Sequence, residues 1–355
     1  MKVVTTPDYR RWNPYQRELA ASLVPHGVET RFVGESPGGL GLWRTLRAGD
    51  VPDVLHLHWL DRFIDGSHLP AALAKATLLL RQLAAARRRG VRIVWTVHNV
   101  VGHEGRHTRL ERAVYRRVAT LADRLIVHCP CATGLVIRAY GLPTSIGRRF
   151  SVVPHGSYVA SYPNTVSRDE ARERLGLARD ARVFLFLGQL RRYKGLAGLL
   201  DAFAGLEAPR ARLVIAGRAH DGGLGQWLAA AAARDPRLQL HLGFVPDADV
   251  QVFLNAADAV VLPLQGVLTS GSVVLAMSFA RAVIAPGLGC LVDTLGHPAG
   301  LLYDPDQPGA LGTVMRDVLD RDLDAVGQAH RERVERAPWS RVAQETYAVY
   351  RGGVG

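Results

Sequence analysis

The sequence predicts an α/β protein made of two Rossmann-like, doubly wound halves facing a cleft, and three observations carry that prediction. Short apolar runs alternate with helix-length amphipathic segments through the first 153 residues, the pattern of a parallel sheet with crossover helices. Over residues 154–167 the alternation breaks into Pro, Gly, Ser, Tyr and Asn, the composition of a linker. It then restarts, and 355 residues of which 48% are hydrophobic can fill two cores. The expected division is 1–160 and 161–337, with a helix over 338–352 returning to the first half.

The elements follow in order. Residues 2–5 form a short strand, after which Asn13 is the N-cap and Pro14 the first residue of an amphipathic helix that stops at His26-Gly27. Strands are expected over 28–33 and 54–59. A long helix from Leu69 ends in Arg87-Arg88-Arg89 before Gly90, cations at the negative end of the helix dipole. The strand over 91–97 runs straight into His98-Asn99, and a helix over 108–121, a strand over 125–128, another helix and a strand over 150–153 complete the half. In the second half, strands end at Gly188, Gly217, near Gly243 and at Pro263. The apolar run 259–262 leads to Thr269-Ser270-Gly271-Ser272, hydroxyls that can cap a short helix and a glycine that admits a ligand to the main chain. In doubly wound sheets the C-terminal ends of the strands are the natural ligand positions.

Three loops of the second half would converge there. The first carries Arg191 and Lys194 beside Gly188 and Gly195, two cations suited to a diphosphate. The second, Gly243-Phe244-Val245-Pro246, offers main chain and an aromatic side chain to a flat ring. The third is the helix start at Thr269, where free N–H groups and the helix dipole suit an anion.

The bulk properties narrow the classes. No apolar stretch is long and charge-free enough for a transmembrane helix, and the start lacks the apolar core of a secretion signal, so a cytoplasmic protein is expected. The net charge of +12 favours a polyanion, an anionic membrane surface or an acidic substrate. Three cysteines supply neither a disulfide framework nor paired zinc knuckles. His98, His103 and Glu104 lack the spacing that places two metal ligands on one helical face. Asp320-Arg321-Asp322 reads as a solvated helix face, so no metal is expected.

Phe186-Leu187-Gly188-Gln189-Leu190-Arg191-Arg192-Tyr193-Lys194-Gly195, Leu213 to Gly217, Gly243 to Asp247, Ala257 to Pro263 and Ala276-Met277 through Ala285 resemble, in this order, the donor half of retaining glycosyltransferases of family 4, which have the two-Rossmann GT-B fold. Trp95 to Asn99, Ala122 to His128 and Val153-Pro154-His155-Gly156 extend the resemblance more weakly into the first half. It implies an acceptor-binding first domain and a donor-binding second domain. The activity implied is hexosyl transfer from a nucleotide-diphosphate sugar, GDP-mannose or a UDP-sugar, to a hydroxyl of a lipid-linked saccharide or small secondary metabolite, with retention and without a metal or other cofactor. The expected partners are therefore the donor sugar, the acceptor and an anionic membrane at its inner face, with no nucleic acid.

Residue by residue, the resemblance implies that Lys194 contacts the diphosphate. Gln189 stands where many relatives have arginine, so Arg191 supplies that charge instead. His98 matches a histidine that contacts the transferred sugar or phosphate. Gly188, Gln189, Gly217, Gly243, Phe244, Val245, Thr269, Ser270, Gly271 and Ser272 are the remaining donor-side candidates; Asn13, Asp61, Asn99, His103, Glu104 and His155 are those on the acceptor side. Val267 and Leu275 stand where many relatives have two glutamates, and a Ser-Gly pair at the helix start marks a subset that this chain resembles. In a retaining reaction the leaving diphosphate can take the acceptor proton, whereas inversion needs a base such as Asp61, His103 or Glu104. A nucleotide-sugar epimerase of the same fold and a non-catalytic binding protein are the alternatives.

Overall fold

The structure, a computed structural model, describes residues 1–34, 41–47, 51–64, 68–100, 107–296 and 301–353. His103 and Glu104 lie outside the described residues. The chain divides into two units: Met1–Gly156 with Ala337–Gly355, and Ser157–Arg336.

Unit 1 contains β1 (Lys2–Thr6), α1 (Tyr15–Leu23), β2 (Glu29–Phe32), α2 (Gly41–Arg47), β3 (Val54–Leu57) and α3 (Leu69–Arg88). It continues through β4 (Arg92–Thr96), α4 (Thr108–Leu121), β5 (Arg124–Val127), α5 (Pro130–Tyr140) and β6 (Phe150–Val152). The strands pair in parallel in the order β2-β1-β3-β4-β5-β6. Their near-continuous apolar sequences reflect a sheet covered on both faces; Leu55, Leu57, Ile93 and Val94 have no exposed surface. The order reverses between β1 and β3, so the loops after these two strands open the crevice at the sheet's C-terminal edge.

Unit 2 runs α6 (Arg168–Leu175), β7 (Arg182–Leu187), α7 (Leu196–Ala204), β8 (Ala211–Gly217), α8 (Gly222–Ala232), β9 (Leu238–Leu242) and α9 (Val250–Ala256). It ends with β10 (Ala259–Val261), α10 (Gly271–Ser278), β11 (Ala282–Pro286), α11 (Leu291–Leu295), β12 (Leu301–Tyr303), α12 (Ala310–Asp317) and α13 (Leu323–Glu335). Its parallel order is β12-β11-β10-β7-β8-β9, with the switch point between β7 and β10.

A repeated device pins the strand starts. Asp53, just before β3, accepts a hydrogen bond from Lys2 N at 2.7 Å. Asp123, before β5, accepts from Ile93 N at 2.7 Å, and Asp258, before β10, from Val183 N at 2.6 Å. Each carboxylate fixes where the neighbouring strand enters the sheet, and therefore its register. Asp258 is buried, and it is also paired with Arg172 at 3.0 Å and with Arg168.

The final helix, α14 (Trp339–Tyr350), belongs to unit 1, where it packs on α1. Gly156 makes room for it: a Cβ there would lie 2.5 Å from the Trp339 ring. Two local expectations change. The Asp320-Arg321-Asp322 segment is a turn between α12 and α13, not a helix face, and the Asp322 carboxylate caps α13 through Asp324 N and Ala325 N. Pro14, not Asn13, stands at the N-cap of α1, which begins at Tyr15, and Asn13 Oδ1 accepts from Tyr15 N at 2.9 Å.

Candidate active site

The donor-side candidates of unit 2 gather around its switch point. After β7 the chain leaves at Gly188, buries Leu190 completely and makes one 3-10 turn over Arg192–Lys194. Gly195 closes that turn at φ 75°, against the Pro263 carbonyl, where a Cβ would sit 2.0 Å from the oxygen. No other residue type fits such a position. The turn sends Lys194 back over the strand end: a Cβ on Gly188 would lie 3.8 Å from both Lys194 Nζ and Ser272 Oγ. The loop after β7 and the start of α10 thus flank one point.

Lys194 is half-buried, and among the described residues no carboxylate forms a salt bridge with it. Burial, and then the neighbouring Arg191 guanidinium, pushes its ammonium down to about 8. Arg191 Nε donates to Gln189 Oε1 at 3.4 Å, so the exposed Gln189 side chain orients the second cation. Across from them, Ser270 Oγ accepts from Val273 N at 3.4 Å and caps α10. Thr269, Gly271 and Ser272 surround this helix start, whose first N–H groups have no intrahelical acceptor. Gly217 ends β8 against Gly188, since a Cβ on it would meet the Gly188 carbonyl oxygen at 1.8 Å. After β9 come Gly243, Phe244 with 65% of its surface exposed, and half-buried Val245. Val267 and Leu275 are half-buried and offer no side-chain hydrogen bond.

In unit 1 the parallel strands end in histidines: His56 and His58 at β3, His98 after β4, His128 after β5 and His155 after β6. The two-residue repeat puts His56 and His58 on one face. Tyr15 of α1 stands among these rings, 5.1 Å from both His98 and His155 and 5.7 Å from His58 and His128 between centroids. His56 bridges Tyr350 Oη and Thr96 Oγ1, each at 2.7 Å. His58 Nδ1 and His98 Nε2 are 3.0 Å apart. His128 Nδ1 donates to the Val153 carbonyl and His155 Nδ1 to the Gly156 carbonyl, both at 2.9 Å. Burial pushes His56 and His155 down to about 3 and His128 to about 4, and holds His58 and His98 well below the ordinary imidazole value. All five rings are neutral at pH 7.

Trp59 stacks on His98 with centroids 4.2 Å apart and planes 11° from parallel. Asp61 follows in a short 3-10 turn, half-exposed, and lines a small cavity with His58, Trp59, Trp95, His98 and Asn99. Asp61, Asn99 and His98 therefore come together, His155 joins them through Tyr15, and Asn13 is hydrogen-bonded to the Tyr15 main chain. His56, His58, His128 and Tyr15 are additions that motif matching does not supply. Their signal in the sequence is that successive apolar runs each terminate in histidine.

The two parallel six-stranded sheets and the similarities that follow make this chain a glycosyltransferase of the GT-B fold. Residues 181–321 match the family described as glycosyl transferases group 1. The GDP-mannose:glycolipid 4-beta-D-mannosyltransferase of Xanthomonas campestris pv. campestris is 28% identical over 97% of this chain and 89% of its own. Among solved structures, sucrose-phosphate synthase from Thermosynechococcus elongatus superposes with a TM-score of 0.79 at 17% identity, covering 99% of this chain and 98% of the other. Anabaena Alr3699/HepE in complex with UDP gives 0.75 at 15% identity, covering 99% of each.

Proposed function

We propose that the protein transfers a mannosyl group from GDP-mannose to a hydroxyl of a lipid-linked saccharide. Unit 2 holds the donor and unit 1 the acceptor. The observation that carries this reading is the meeting of Lys194 Nζ and Ser272 Oγ at Gly188, with Arg191 alongside and the α10 N-terminus opposite. Two cations beside a helix N-terminus are complementary to a diphosphate that gains charge as it leaves. The end of β9 is two strands from β7, about 10 Å at ordinary strand spacing, so Phe244 is one nucleoside's reach from the diphosphate. His98 contacts the transferred sugar or phosphate. The choice of mannose follows the donor named for the Xanthomonas relative; a UDP-sugar and a small secondary metabolite are the second choices of donor and acceptor.

Retention is what the sequence resemblance implies, and it fits a site where the leaving diphosphate takes the acceptor proton. The relative's name favours a second stereochemical reading. It specifies a β-mannosyl product, and from an α-linked donor such as GDP-mannose that product requires inversion at C1. Inversion requires a base, and Asp61, in the same cavity as His98, is the described carboxylate placed for it.

An anionic membrane surface is the proposed setting, at the cytoplasmic face. Arg109, Arg112, Arg116 and Arg117 share the exposed face of α4, while Val114, Tyr115, Val118 and Ala119 face inward. Among the described residues no helix is long and apolar enough to cross a membrane, so attachment through this face is electrostatic.

Calorimetric titration with GDP, UDP and ADP, followed by GDP release from GDP-mannose with a membrane lipid extract, tests the reading. GDP binding and acceptor-dependent release are expected. Failure to bind any nucleoside diphosphate would favour the non-catalytic binding protein. Conversion of the donor sugar without acceptor would favour an epimerase. The one-bond C1–H1 coupling of the product distinguishes retention from inversion.

A further inference from the structure

One pair among the buried rings of unit 1 fixes a protonation pattern. His58 Nδ1 and His98 Nε2 are 3.0 Å apart, and burial keeps both rings neutral. Two neutral imidazoles place a single proton in that contact. Were His98 Nε2 its donor, His58 would carry its own proton on Nε2, which is buried and has no hydrogen-bond partner among the described residues. A buried N–H without an acceptor is rarer than a buried acceptor without a donor. The proton therefore belongs to His58 Nδ1, and His98 carries its proton on Nδ1. Neighbours hold both groups in place. Trp59 stacks on the His98 ring, and Trp95 Nε1 donates to the His58 carbonyl at 3.2 Å.

We propose that His58 is a positioning residue for glycosyl transfer. By donating from Nδ1 it locks His98 in the Nδ1–H tautomer, making His98 a hydrogen-bond donor to an oxygen of the nucleotide sugar and not a proton acceptor. This rests on the reading that His98 touches the transferred sugar or phosphate. It also assigns the acceptor's proton elsewhere, to Asp61 on inversion or to the leaving diphosphate on retention.

Long-range proton–nitrogen correlation spectra of histidine-labelled protein should show His98 as the Nδ1–H tautomer, with His98→Ala giving the assignment. His58→Leu removes the donor at similar volume. It should lower kcat for GDP release from GDP-mannose at least about tenfold, as loss of an orienting partner commonly does, while KM moves less than about threefold. His58→Asn, whose amide N–H replaces Nδ1–H, should recover most of kcat. An Nε2–H tautomer on His98, or equal rates for the Leu and Asn variants, overturns the proposal. If His98→Ala itself keeps the wild-type kcat, the reading of His98 as a substrate contact fails and takes the proposal with it. Should His58→Leu not fold, the wild-type spectrum and the Asn variant still decide.

Discussion

Lys194 is held where its charge is disfavoured, and that makes it a reporter of what binds there. Its ammonium is pushed down to about 8 by burial and by Arg191, so the free protein is relieved when the proton leaves between about pH 8 and the ordinary lysine value. A bound diphosphate reverses the preference by stabilising the cation. GDP affinity should therefore be full below pH 8 and weaken as pH rises through it, measured by calorimetry across pH 7–10. Lys194→Met should lower affinity about ten- to hundredfold at pH 7, the worth of a charge-assisted contact, and abolish the alkaline limb. A Met variant with wild-type affinity would remove Lys194 from the site. The position of Lys194 in a loop at a strand end was legible in the sequence, because it follows an apolar run and precedes Gly195. The pairing of His58 with His98 was not: forty residues separate the two, and only the adjacency of β3 and β4 brings their loops together.

At the scale of elements, α10 joins a structural cap to the proposed binding function, and two substitutions separate them. Ser270→Ala removes the acceptor for Val273 N and should cost about 1 kcal/mol of stability, the usual worth of an N-cap, read from urea unfolding. Gly271→Val should leave the cap and crowd the first N–H groups, lowering GDP affinity with a smaller change in stability. Equal affinity for wild type and Gly271→Val would return α10 to the role of an ordinary capped helix. Alternation of apolar runs and helices made the parallel sheets legible, and the hydroxyls at Thr269–Ser272 made the start of α10 legible to within a residue or two. Strand order was not, because β10 docks beside β7 through contacts over seventy residues apart in the chain. That docking puts Pro263 against Gly195 and brings two separate loops together at the candidate site. Asp320 to Asp322 forms a turn and not a helix face because Asp322 caps the following helix, a role its local sequence does not distinguish from a place on a helix face.

The whole molecule distributes its histidines unevenly, and its response to acid should follow. His56, His128 and His155 are buried in unit 1 and pushed down to about 3, 4 and 3, whereas in an unfolded chain they would titrate at the ordinary value near 6.5. Below that value the unfolded state binds protons that the folded state refuses, so stability is fully present above about pH 6.5 and falls as pH drops towards 4. For His56, the loss between pH 7 and 5 is about 2 kcal/mol. His58 and His98, held low by the same burial, add to it in the same direction. Unit 2 has no comparable group of rings among its described residues, and burial lowers His241 there. The tryptophans supply a selective probe, since Trp12, Trp43, Trp59, Trp95 and Trp339 belong to unit 1 and only Trp227 to unit 2. Urea unfolding followed by tryptophan fluorescence should shift to markedly lower denaturant between pH 7 and 5. Replacing His56 with Gln keeps a hydrogen-bonding side chain that cannot titrate, and should remove about one ring's share of the shift. An unchanged fluorescence midpoint at pH 5 would mean that these rings protonate without unfolding, and that the neutral cluster beneath His98 is not what the fold of unit 1 depends on.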